Sequence, residues 1–183
     1  MSLDLLLLAL GVSLALSLVW STLRSGMSPM PSSRAARAAM LEALQGTEGP
    51  IADLGSGWGQ LGLAAAKRFP ARQVIGYELS WLPWLYSVAV ARCLRCRNLT
   101  FYRRDAFAAL ARQDPMPVRT VVCYLHGEGM ARLRQTLDTG EHSCRWIISN
   151  NFALPGCQPD HQWRLRDFYR SPVYRYRWPD CLQ

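Results

Sequence analysis

Lysine is almost missing from this chain: of 21 basic residues only Lys67 is a lysine, and the others are arginine. Beside abundant Ala, Leu and Pro, that bias marks a GC-rich coding sequence before it marks a function. The net charge of +8 still favours anionic lipid head groups or an acidic partner over a neutral one. No internal repeat and no low-complexity tract is present, which excludes a repeat array. The 183 residues allow one ordinary domain with a short appendage. A second C-x-x-C is also missing. Cys93 and Cys96 form the one such pair, inside a helical pattern and with no partner pair at zinc spacing, so no metal site is expected. Cys123 and Cys144 lie in or beside apolar runs, where a reduced cysteine packs as a small hydrophobe. With Cys157 and Cys181 they read as ordinary reduced thiols of a cytosolic compartment.

What is present begins at the N-terminus. Residues 5–20 contain no charge and are mostly Leu, Ala and Val. Counted over residues 3–23, the stretch is long enough for a helix to cross a hydrocarbon core of about 30 Å. Trp20 is an interface anchor at its far end, and Arg24, Arg34 and Arg37 follow. By the positive-inside rule the bulk of the chain is then cytoplasmic and the protein a single-pass membrane protein, of the bacterial inner membrane. A cleaved signal peptide competes with this reading but needs a basic leading region, and Asp4 stands there instead. A buried amphipathic helix also competes, but no polar stripe repeats through the segment. The resulting organisation is a transmembrane anchor over residues 1–24, a linker rich in Ser, Pro and Gly over 25–33, and a domain over 34–183.

Within that domain strands and helices alternate. A helix is expected over residues 34–44, capped by Ser32 or Ser33 and stopped by Gly46. Strands are expected over 51–54, 73–78, 99–102, 120–125 and 145–149. The helices between them are expected over 61–69, 84–95 and 130–137. This order implies an α/β fold with a mostly parallel sheet covered on both faces. The end of the chain changes character: residues 163–168 and 173–178 alternate arginine with aromatic or aliphatic residues, around a break at Tyr169-Arg170-Ser171-Pro172. Period two predicts a hairpin with one buried and one basic face.

The most informative run is Asp53-Leu54-Gly55-Ser56-Gly57-Trp58-Gly59, set between the first strand and a helix. Such a corner leaves helix N-terminal N–H groups facing a ligand, and its glycines let that ligand lie against the backbone. The glycines alternate, and Gln60 stands at the third glycine place of the dinucleotide pattern. An acid two residues before alternating glycines resembles the first motif of class I S-adenosylmethionine-dependent methyltransferases. That resemblance implies a Rossmann-like fold closed by an antiparallel C-terminal hairpin, with S-adenosylmethionine as cofactor. It assigns the methionine carboxylate to the loop N–H groups of Gly55, Ser56, Gly57 and Gly59, and the ammonium to Asp53. The ribose diol falls to Glu78, at the end of the second strand, and the adenine edge to Asp105, after the third. Alone, Asp105 also reads as a helix cap. Three acids at the tips of successive strands converge on the crevice where open α/β sheets bind ligands.

The stretch Tyr124-Leu125-His126-Gly127-Glu128 follows the fourth strand, on the acceptor side. His126 is the candidate for assisting proton loss, against the plainer reading of a surface-loop histidine. The Asn-Pro-Pro-Tyr signature of nucleic-acid and glutamine amino-methylating enzymes is absent there, which speaks against a nucleic-acid substrate. More narrowly, the chain resembles the single-span protein-lysine N-methyltransferases, whose mitochondrial members modify adenine nucleotide translocase and the membrane-ring protein of ATP synthase. The apolar N-terminal segment, Ser28-Pro29-Met30-Pro31-Ser32-Ser33, the glycine loop, Gly76-Tyr77-Glu78-Leu79, Tyr102-Arg103-Arg104-Asp105 and Phe152-Ala153-Leu154-Pro155 carry that resemblance. It implies a protein substrate, with membrane proteins among the candidates, and a lysine amine as acceptor. Trp58 departs from the small polar residue common at its position. Two other functions stay open: methylation of a lipophilic small molecule beside Trp81-Leu82-Pro83-Trp84, and a non-enzymatic basic module built on the C-terminal hairpin.

Overall fold

A computed structural model describes residues 2, 4–6, 8, 11–12, 33–165 and 170–182. The expected anchor and linker therefore lie for the most part outside the described residues. Among the described residues no helix is long and apolar enough to cross a membrane.

Helix α1 (Arg34–Ala43) starts at Ser33, whose side chain accepts the Ala36 N–H at 3.0 Å. Ala36, Ala39, Met40 and Ala43 recur at helical spacing and form its buried face. A 3-10 turn (Leu44–Gly46) leads to the first strand. The Arg72 guanidinium holds that approach by donating to the carbonyls of Leu44, Thr47, Glu48 and Gly49 and to Thr120 Oγ1.

Among the described residues seven strands form one sheet: β1 (Ile51–Leu54), β2 (Val74–Tyr77), β3 (Leu99–Tyr102), β4 (Thr120–Cys123), β5 (Trp146–Asn150), β6 (His161–Arg164) and β7 (Pro172–Arg177). Their order is β3-β2-β1-β4-β5-β7-β6. The first five pair in parallel, while β7 pairs antiparallel with both β5 and β6. Strands β1, β2 and β4 are buried along their whole length because helices cover both faces. One face packs with α1, α2 (Gln60–Arg68) and α3 (Trp81–Cys93), and the other with α4 (Ala106–Arg112) and α5 (Gly127–Thr139).

Several boundaries differ from the sequence reading. Helix α3 begins at Trp81, not residue 84, because Pro83 sits in its first turn, where no N–H is needed. Helix α4 is not among the expected elements: seven residues following Asp105 are too few to show a period. Helix α5 runs beyond 130–137 at both ends, its first turn tolerating Gly127 and Gly129. Strand β6 lies at His161–Arg164, short of the expected 163–168, and residues 166–169 are outside the described set.

In β7 both faces carry a buried residue, while Arg164 of β6 and Arg177 of β7 stay exposed. Val173 and Tyr176 are both fully buried, in opposite cores, because β7 is an interior strand. Arg175 is pinned by Asp160 at 2.8 Å, with its guanidinium over the rings of Trp146 and Trp163. Arg177 pairs with Asp180 at 3.2 Å.

Candidate cofactor site

The loop after β1 makes its turns through left-handed glycines, with φ of +72° at Gly55, +51° at Gly57 and +74° at Gly59. Their reasons differ. A Cβ at Gly57 would meet nothing within 4 Å, and one at Gly55 only Leu125 Cδ2 at 3.7 Å, so open space lies over both. A Cβ at Gly59 would stand 2.7 Å from Phe101 Cζ and 2.8 Å from Ser87 Oγ. Gly59 therefore serves close packing of the loop on the sheet, whereas Gly55 and Gly57 leave room for a ligand.

Glu78 is brought directly to this loop. Its Oε2 accepts the Gly57 N–H at 2.9 Å, and its Oε1 accepts the Ser80 N–H at 2.7 Å. The Gly57 N–H is thus engaged by Glu78. A carboxylate has about four acceptor sites, so Glu78 keeps capacity for a diol while it holds the backbone. Three further bonds fix the loop: Ser56 N–H to the Tyr77 carbonyl at 2.9 Å, Gly59 N–H to the Ser56 carbonyl at 2.8 Å, and Ser87 Oγ–H to the Gly57 carbonyl at 3.0 Å. Ser87 is fully buried. It escaped the sequence reading because one small polar residue within an apolar helix carries no signal of its partner.

Asp53 ends up buried beneath the start of α2, and its Oδ2 has no hydrogen-bond partner. Burial pushes its carboxyl up to about 7; the Gly62 N–H opposes the shift and the nearby Glu78 charge adds to it. Ser56 Oγ is buried and unpartnered as well, 3.0 Å from the position of a Cβ built on Gly76. Two orphaned polar atoms at the tip of β1, under an open glycine cradle with an acid at its edge, suit a ligand with an ammonium, a carboxylate and a diol. The residues present fit S-adenosylmethionine.

Asp105 is spent mainly on structure. Oδ1 accepts the Phe107 and Ala108 N–H groups at 2.9 and 3.1 Å, capping α4, and Oδ2 pairs with Arg132 at 2.7 Å. Burial raises its affinity for a proton, but the Ala108 N–H, Arg132 and the Phe107 N–H outweigh it and hold the carboxyl below the ordinary carboxylate range. The structure thus gives Asp105 the cap role and joins it by no bond to Glu78 or the glycine loop. His126 also caps: its Nδ1 accepts the Gly129 N–H at 3.3 Å at the start of α5. Beside it Tyr124 stacks on Phe152 with centroids 6.3 Å apart, joining the segments after β4 and β5. Trp58 packs edge-on against Tyr86 of α3, at 5.3 Å. Among the described residues no group of three or more His, Cys, Asp or Glu side chains is placed to hold a metal ion.

The fold is shared with solved methyltransferases. An RNA methyltransferase from Salinibacter ruber, in complex with S-adenosyl-L-homocysteine, superposes with a TM-score of 0.69 at 22% identity, covering 84% of this chain and 97% of that one. Ribosomal protein L11 methylase from Lactobacillus delbrueckii subsp. bulgaricus gives 0.61 at 17% identity, covering 80% and 79%. Sheet order, glycine loop and acid at the tip of β2 define a class I S-adenosylmethionine-dependent methyltransferase fold. Residues 53–161 match the ANTKMT methyltransferase domain, and the chain belongs to that family. Similar curated proteins are the lysine N-methyltransferases that act on the C-type subunit of ATP synthase in Mus musculus (32% identical over 120 residues, 64% of this chain and 46% of that protein) and Xenopus laevis (30% over 123 residues, 67% and 52%). The chain spans about half the length of these relatives.

Proposed function

We propose that this protein transfers the methyl group of S-adenosylmethionine to a lysine amine of a protein substrate. The observation that carries the proposal is the junction of Glu78 with the Gly57 N–H under open space, in a chain whose relatives are lysine N-methyltransferases. The donor supplies an activated methyl on a positive sulfur. The protein's part is to hold the donor, align the amine and let a proton leave. In this reading Glu78 holds the ribose end, and the unmet buried polar atoms of Asp53 and Ser56 support a methionine end beside them. A lysine amine must lose its proton first, its reference pKa being about 10.4. Tyr124 and Phe152 form an apolar wall on the acceptor side. His126 has Nδ1 committed to its helix, so Nε2 is the ring nitrogen left to accept that proton.

The apolar run over residues 5–20 anchors the protein in a membrane as a single span, with the domain on the cytoplasmic face. Leu5, Leu6, Leu8 and Val12 are all exposed, which supports a lipid-facing role. Anchoring raises the effective concentration of a substrate in the same bilayer. A lipophilic small-molecule acceptor is the second reading, favoured by Leu79, Trp81, Leu85 and Tyr86, which lie exposed beside Glu78.

The test is incubation of the full chain, in bilayers, with donor labelled in its methyl group. Label in a protein band, released as methyl-lysine on hydrolysis, is expected. Label found only in the lipid extract would overturn the lysine assignment in favour of the second reading. Titration calorimetry should show donor binding, and Gly57→Arg should abolish it while the circular dichroism spectrum stays unchanged.

A further inference from the structure

We propose that Cys157 and Cys181 form a reversible redox pair, closed to a disulfide by a small-molecule disulfide of the glutathione class. Their sulfurs lie 2.8 Å apart, with the Cys181 thiol donating to Cys157 Sγ. The backbones are already side by side: Cys157 forms an isolated antiparallel bridge with Leu182, and the Gln158 N–H donates to the Cys181 carbonyl at 2.9 Å. Only side-chain movement is needed to bring the sulfurs to a bonded distance of about 2.05 Å.

The two thiols have different roles. Cys157 is partly exposed, and its sulfur takes a contact from Arg134 Nη1 at 3.8 Å as well as the thiol hydrogen bond from Cys181. A cation and a hydrogen-bond donor thus both face the more exposed sulfur of the pair. Arg134 is itself held in place by Asp138 and by the Pro155 carbonyl. Cys181 is buried, and its thiol is pushed up to about 12 by burial and by its hydrogen bond to Cys157. Its sulfur already touches Cys157 Sγ, and that contact suits it to the resolving position. Cys123 and Cys144 are also buried, and among the described contacts neither has a cysteine sulfur beside it, so neither has a partner to close with. Cys93 and Cys96 sit at the end of α3 with no sulfur–sulfur contact described between them.

In the first step Cys157 thiolate attacks one sulfur of the oxidant RSSR, forming a mixed disulfide and releasing RS⁻. Cys181 then gives up its proton to solvent and attacks Cys157 Sγ, forming the protein disulfide and releasing the second RS⁻. Two protein thiols are oxidised, and RSSR is reduced to two RSH once the released thiolates take up the two protons. The new bond ties the segment after β5, which carries Phe152 and Leu154, to the C-terminal turn, and encloses β6 and β7.

The experiment uses the full chain in detergent, reduced, freed of reductant and incubated with oxidised glutathione at pH 8. Two of the six thiols should be lost. A digest made without reductant should contain a peptide joining Cys157 to Cys181, and Tm should rise by roughly 5–10 °C. Dithiothreitol should reverse all three changes. Cys181→Ser should stop as a glutathione adduct on Cys157, Cys157→Ser should form neither adduct nor link, and Cys144→Ser should behave as wild type. A link only between Cys93 and Cys96, a glutathione adduct persisting on wild-type Cys157, or six thiols retained by a folded protein would each overturn the proposal. None of these readouts depends on methyl transfer.

Discussion

At Glu78 one carboxylate holds two backbone N–H groups and keeps acceptor capacity toward the open side of the loop. Glu78→Ala should weaken donor binding by about 1.5–3 kcal/mol through loss of a charge-assisted bond, measured by calorimetry at fixed salt. Unchanged affinity would exclude Glu78 from the site. Asp53 makes a prediction of the opposite sign to most acids. Its folded pKa, about 7, lies above its unfolded value, so the folded state binds the proton more tightly. The associated stability is present below about pH 4 and is lost as pH rises toward 7. Asp53→Asn should flatten that part of the stability profile in urea melts. A cationic ligand beside Asp53 drives the proton off, so donor binding near pH 7 should release about half a proton per site. The binding enthalpy should then vary with the ionisation enthalpy of the buffer, and this dependence should vanish in Asp53→Asn.

At the scale of the elements, Phe101 of β3 props up the loop. Cβ atoms built on Gly59, Gly62 and Gly76 would lie 2.7, 3.3 and 2.2 Å from its ring, so the glycines of two strand–helix units exist partly to admit one phenyl group. Phe101→Ala should cost about 3–5 kcal/mol of stability and loosen donor binding in the same variant. Gly76→Ala should destabilise by about 1–3 kcal/mol or more through overpacking, without removing any polar contact. Chemical denaturation checks both, and a neutral Gly76→Ala would show that the ring moves aside freely. Helices α4 and α5 are tied in the same way, by Asp105 and Arg132, whose guanidinium also lies 4.4 Å over the Phe107 ring.

For the whole molecule, the sheet carries its parallel strands in the centre and closes with an antiparallel pair. Two arginines of β7 are paired within the protein, Arg175 with Asp160 and Arg177 with Asp180. The proposed membrane anchor is tested at this scale too. In cell fractionation the full chain should stay with membranes through carbonate and high-salt washes and leave only in detergent. Release by salt alone would show an electrostatic attachment through the arginines instead.

Order along the chain was enough to establish the alternation of strands and helices, the glycine corner and the acids that follow three strands, because these are local patterns of period, turn residue and spacing. Strands β1 and β3 fall where their apolar runs end at turn residues. Folding alone decided which polar groups would meet. Asp105 alone reads first as a cap, and as a ligand contact only through the order of acids along the chain; Arg132, on a different helix, then takes its second oxygen. Tertiary contact likewise set Gly59 against Phe101, Ser87 under Gly57 and Cys157 beside Cys181, pairs separated by 24 to 42 positions. Such pairings depend on the sheet order and on how closely helices settle on it, and no local period along the chain encodes either.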